Sequence, residues 1–72
     1  MLETKIHELR REKKMSQNDL AELVGVRRGT ITSLENGKYN PSLKLAMKIA
    51  KVFDKQVEEV FFFDDLMEED DN

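Results

Sequence analysis

Within this chain the run QNDLAELVGVRRGTITSLEN, residues 17 to 36, places small, branched and turn-forming residues at spacings that leave few folds open. Leu20, Leu23 and Val24 recur at i, i+3 and i+4, which on a helix makes one apolar stripe, and Ala21 is small enough to let a second helix cross closely. Gly25 then ends the helix, because glycine takes the left-handed backbone that closes a helical end without steric cost. Val26, Ile31 and Leu34 rebuild an apolar stripe on the next helix. Two helices joined by a short turn with glycine form a helix-turn-helix, a motif whose second helix enters a groove of DNA.

The flanking sequence continues the helical pattern. Ile6 and Leu9 mark the inner face of a first helix from about Thr4 to Lys13, with Thr4 as its cap. Ser16 is followed three residues later by Asp19, close to a capping box, so the second helix is expected to start at Gln17. The third runs from about Arg28 to Asn36 and stops at Gly37. Lys38 to Asn40 lead to Pro41, and Ser42 caps a fourth helix with Leu43, Ala46, Ile49, Ala50 and Phe53 on one face. Asp54 follows it, a residue type that tolerates left-handed backbone better than most. A short fifth helix is expected around Val57 to Val60. Phe61, Phe62 and Phe63 then form an apolar run too short for a helix and suited to a strand.

Composition removes several function classes. The chain has no Cys and one His, His7, which argues against disulfides, thiolate zinc sites and a metal centre. No glycine-rich phosphate loop is present, and 72 residues enclose no substrate pocket, so an enzyme has almost no support and no cofactor is expected. No apolar stretch approaches the roughly 18 residues that span a membrane, and the charged start MLETKIHELRREKK is unlike a signal peptide, so a cytoplasmic protein is expected. A domain this small buries only about 60% of its unfolded surface. Such a domain is marginal unless packing is dense or a second subunit adds core.

The formal charge of −3 hides an uneven distribution. All 12 Lys and Arg lie in residues 1 to 60 against nine acids, whereas the last twelve residues carry six acids and no base. A basic body with an acidic end is a cue for nucleic-acid interaction. Residues Glu68 to Asn72 are charged with nothing to bury and are expected to be disordered. The acidic tail reads as a solubilising end or, in a tighter reading, as a competitor for the chain's own basic face.

Over roughly residues 5 to 62 the sequence resembles the Xre class of helix-turn-helix regulators, the class of the phage lambda Cro and repressor DNA-binding domains. The resemblance rests on Leu9-Arg10, on MSQNDLAELVGV (15 to 26), on TITSLENGKYNPSL (30 to 43) and on the apolar pattern of AMKIAKVF (46 to 53). With its N-terminal arm and short C-terminal extension the chain is similar to stand-alone one-domain regulators of the sort represented by the cytolysin operon repressor. That resemblance implies an all-α, five-helix lambda-repressor-like domain over residues 1–63, with a small sheet between Leu2 to Thr4 and Phe61 to Phe63, and an acidic tail over residues 64–72. It also implies a homodimer, a double-stranded DNA partner, and a repressor acting on a palindromic operator.

Helical geometry selects the residues that would read DNA. With Ile31 and Leu34 inward, steps of about 100° put Arg28, Gly29, Thr32, Ser33 and Asn36 on the outward face. Arg28 can bond guanine O6 and N7 bidentately, while Thr32 and Ser33 offer a methyl and hydroxyls to other base edges. Where the family often carries Ser and Gln, this chain has Arg27 and Gly29: the first exchanges a helix cap for a possible phosphate contact, the second narrows direct readout. Thr30 completes the candidate set on this helix. By resemblance Gln17, Lys38, Tyr39, Asn40 and the amide end of the fourth helix near Ser42 contact phosphates, which set register and affinity. Glu35 and Arg10 pair in the family and are read as structural. His7 is read as a surface residue, and the methionines as core or interface filler.

Three consecutive Phe cannot all point inward from one small domain, so Val57, Val60, Phe61, Phe62 and Phe63 are the candidate dimer surface. Two functional readings follow: a homodimeric sequence-specific regulator, favoured by the basic recognition helix, and a protein-interaction or antitoxin-type adaptor that keeps the fold and acts through its Phe-rich end and acidic tail.

Overall fold

The computed structural model describes residues 2–63; the expectations for residues 64–72 lie outside them. The order is β1 (Leu2–Thr4), α1 (Ile6–Glu12), α2 (Gln17–Val24), α3 (Arg28–Glu35), α4 (Leu43–Val52), α5 (Val57–Val60) and β2 (Phe61–Phe63). Five helices with one two-stranded sheet is the architecture expected from the sequence.

Local chemistry sets most of the helix ends. Ser16 accepts from the Asp19 amide through its hydroxyl (2.9 Å) while the Asp19 carboxylate accepts from the Ser16 amide (3.0 Å), closing the capping box that starts α2. Hydrogen bonding from Ser16, its amide first and its hydroxyl second, holds the Asp19 carboxyl below its ordinary value. Ser42 caps α4 in the same way, its hydroxyl accepting from the Leu45 amide (3.1 Å). Each such cap contributes about 1 kcal/mol.

At the other ends, α1 to α4 share one device. A left-handed residue, Lys14, Gly25, Gly37 or Asp54, follows each helix. The next amide then reaches back five residues: Met15 to Arg10, Val26 to Ala21, Lys38 to Ser33 and Lys55 to Ala50, at 2.9–3.0 Å. These are Schellman closures. Asp54 takes the conformation that its residue type tolerates, and Lys14 does so with no signal in its side chain.

The core gathers one face of every helix. Ile6, Leu20, Ile31, Leu34, Ile49 and Val60 are the largest side chains wholly removed from solvent, with Leu2, Leu9, Ala21, Val24, Leu45, Ala46, Ala50, Phe53 and Phe61 around them. Two stripe residues depart from the periodicity reading. Leu23 is 62% exposed and Leu43 73% exposed, and Leu45 takes the inward place on α4. Leu20, Val24 and Ala21 already fill the side of α2 that faces α3 and α4, and Leu43 sits in the first turn of α4, beyond the packed body.

β1 and β2 pair antiparallel, Leu2 with Phe63, Glu3 with Phe62 and Thr4 with Phe61. The Lys5 amide donates to the Val60 carbonyl (2.9 Å), carrying the ladder one residue further. Thr4 therefore belongs to the sheet, and α1 starts after Lys5 without a side-chain cap, a correction to the expected Thr4 cap.

Candidate nucleic-acid interface

Ile31 and Leu34 pin α3 to the core, which turns its opposite side to solvent. Arg27, Arg28, Gly29 and Asn36 are exposed there, and Thr30, Thr32 and Ser33 are half-buried. The left-handed Gly37 turns the chain so that Lys38, Tyr39 and Asn40 continue as an exposed segment beside the helix. A β-carbon at Gly29 would meet no atom within 4 Å, so this point of the helix is open.

A polar relay runs beneath that face. Arg10, 9% exposed, donates from Nε and Nη2 to the Glu35 carboxylate (2.6 and 3.2 Å) and from Nη1 to the Met15 carbonyl (2.9 Å). The Gln17 Nε2 donates to Glu35 Oε1 (3.0 Å). Gln17 Oε1 accepts from Thr32 Oγ1 (3.2 Å) and, at 3.4 Å, from Arg28 Nε. His7, exposed, places Nδ1 3.2 Å from Arg10 Nη2. The resemblance gives Gln17 a phosphate contact; its carboxamide in fact joins the structural Arg10–Glu35 pair to Thr32 and Arg28 of α3, and one amide hydrogen remains for an outside acceptor.

The electrostatic outcome is that Glu35, the only acid of α3, is turned inward and neutralised by Arg10. Three helix starts add to the positive side. The first-turn amides of Gln17 and Asn18, of Arg28 and Gly29, and of Leu43 and Lys44 have no intrahelical carbonyl to reach, and such amides attract anions. Lys44 stands at the third of these starts and was not singled out by the sequence; its position two residues after the Ser42 cap is the signal.

On α5 and β2 the candidate dimer residues separate. Val60 and Phe61 go into this chain's own core and Val57 is partly buried, whereas Phe62 and Phe63 stay 39% and 44% exposed. Direct pairing puts Phe62 beside Glu3 on one face of the sheet and Phe63 beside Leu2 on the other. Among the described residues no group of three or more His, Cys, Asp or Glu could hold a metal ion, and no helix is long and apolar enough to cross a membrane.

A capped α2, a glycine turn and an α3 with a polar outer face define the class: helix-turn-helix transcriptional regulators. The chain belongs to the helix-turn-helix family HTH_3, of the Xre type, whose match runs over residues 6–60. An uncharacterized HTH-type transcriptional regulator of Archaeoglobus fulgidus is 56% identical over 64 residues, covering 89% of this chain and 90% of that protein. The uncharacterized HTH-type transcriptional regulator YgzD of Bacillus subtilis is 44% identical over 64 residues, covering 89% and 97%. Among solved structures, the restriction-modification controller protein C.AhdI from Aeromonas hydrophila is similar with a TM-score of 0.68 at 37% identity, covering 75% of this chain and 82% of that chain.

Proposed function

We propose that this chain is a sequence-specific DNA-binding repressor that occupies a palindromic operator as a homodimer. The observation that carries the reading is the outer face of α3, where Arg28, Gly29 and Asn36 are exposed and Glu35 is removed from the surface by Arg10. Laid in a major groove, α3 brings the Arg28 guanidinium to a guanine edge, with Thr32 and Ser33 offering hydroxyls to neighbouring bases. Gly29 lets the backbone approach closely. Arg27, Thr30, Lys38, Tyr39, Asn40, the remaining Gln17 hydrogen and the amide ends of α2 and α4 hold phosphates on either side.

Two copies of α3 must stand about 34 Å apart to meet successive major grooves on one face of the duplex, which puts the dimer contact away from α3. Phe62 and Phe63, with the exposed part of Val57, supply apolar surface at the sheet end. The names of the relatives support a regulatory role.

Selection of bound duplexes from a random pool by the purified protein tests the proposal. The expected product is an inverted repeat with half-sites one helical turn apart. A pool that stays random after repeated selection overturns it and favours the adaptor reading.

A further inference from the structure

The side chain of His7 is 57% exposed, yet one of its ring nitrogens is turned onto the buried pair beneath the α3 face. Arg10 Nη2 donates to His7 Nδ1 (3.2 Å), and Glu35 Oε1 stands 3.8 Å from the same nitrogen. A guanidinium can only donate, so Nδ1 is the acceptor and the ring hydrogen sits on Nε2. That arrangement holds only for the neutral ring. His7 is the one histidine of the chain, the residue type whose charge changes between about pH 5 and 8. The charged groups facing it are Arg10 and, one turn along α1, Arg11, with Glu35 from α3; among the described residues neither Glu3 of β1 nor Asp19 or Glu22 of α2 pairs with it.

Protonation takes the Nδ1 lone pair, so the ring repels Arg10 and becomes a donor itself. The acceptor it faces is Glu35 Oε1, which already takes two bonds, from Arg10 Nη2 (3.2 Å) and from Gln17 Nε2 (3.0 Å). A third donor displaces one of them. Arg10 is held by its charge, by its Nε bond to Glu35 Oε2 (2.6 Å) and by its Nη1 bond to the Met15 carbonyl (2.9 Å). Gln17 is neutral, and bonds between charged groups are about twice as strong, so Gln17 yields. We propose that His7 is a positioning residue for the DNA face. Neutral, it leaves Gln17 on Glu35, where Gln17 Oε1 orients Thr32 Oγ1 and Arg28 Nε (3.2 and 3.4 Å); protonated, it takes Glu35 Oε1 and releases Gln17, and Thr32 and Arg28 with it. The proposal rests on the reading of α3 as the helix that meets the bases. What protonation removes is base discrimination, because Arg28 keeps its attraction for phosphate whatever its orientation.

Two measurements on the full chain test it, one of them without DNA. In NMR between about pH 8 and 5.5, a window that leaves carboxylates charged, the carboxamide carbon of Gln17 and the methyl of Thr32 should shift together with the ring signals of His7. In His7→Gln, whose side chain still accepts from Arg10 but does not titrate, they should stay in place. Against DNA, the wild type should prefer its selected duplex over one changed at the Arg28 base pair about fivefold less at the acid end of the window, the worth of one neutral hydrogen bond, and H7Q should hold its preference. Gln17 and Thr32 signals that ignore the His7 titration, or that shift alike in H7Q, overturn the proposal. So does a duplex preference that stays constant with pH in the wild type or falls equally in both proteins. If Gln17 follows His7 while no duplex is preferred at either pH, the coupling stands and the regulator reading falls.

Discussion

The Nε of Arg10 lies 2.6 Å from Oε2 of Glu35, joining α1 to α3 across 25 residues of sequence with both side chains almost out of solvent, at 11% and 9% exposure. Removing one partner strands the other charge in the interior. Glu35→Ala should cost about 3 kcal/mol in urea denaturation, whereas the apolar double variant R10M/E35L should recover most of that loss. Equal losses in the single and double variants would show that the pair is not the source.

The proposed roles on the DNA face separate by the kind of loss. Arg28→Ala should relax preference at one base pair in each half-site, by about 1–3 kcal/mol of discrimination. Lys38→Ala should weaken all duplexes alike and lower the salt dependence by about one charge. Gly29→Gln should fold normally, because the space around that position is open, and should add a base preference in the selected motif. A motif unchanged by Arg28→Ala removes Arg28 from the readout.

Backbone conformation alone separates another set of variants. Gly25 has φ +77°, and an added β-carbon would meet nothing within 4 Å, so Gly25→Ala isolates the cost of left-handed backbone. It should lower stability by about 1 kcal/mol, roughly 5 °C in melting temperature. Lys14→Gly, at φ 54°, should raise stability by about the same amount. Thermal unfolding of the two variants checks both signs.

Phe62 is the residue of choice for testing the dimer, since its outward face on the sheet leaves the core untouched. Phe62→Asp should shift sedimentation toward monomer and abolish tight operator binding while helical circular dichroism persists. Wild-type protein that is monomeric at micromolar concentration, both free and on its operator, removes the dimer from the mechanism.

What the sequence discloses and what it hides divide along local and distant causes. The Ser16–Asp19 box, the Ser42 cap and the stops at Gly25 and Gly37 were legible because each is decided within six residues. Leu23 and Leu43 were not, because a residue at the margin of an apolar stripe is buried only if another element covers it, and that is set by packing. The Thr4 cap failed for the same reason: a strand some 57 residues away takes Thr4 into the sheet. On the candidate site, the outward set of α3 followed from a helical projection anchored on Ile31 and Leu34. The tie from Gln17 to Glu35, Thr32 and Arg28 did not, since it requires the crossing of α2 and α3 in three dimensions.

The pairing of Leu2 with Phe63 also sets the order in which this domain closes. Leu2 is made before the five helices, and Phe63, its partner in the sheet among the described residues, is made after them. Closing so long a loop is entropically costly and comes late. Until it closes, Leu2, 5% exposed in the mature fold, stays in water with the underside of the domain. A chain halted before residue 61 thus leaves Leu2 open to proteases and chaperones, and one that has made Phe63 covers it, so the smallest element of the fold reports that the five helices have been made.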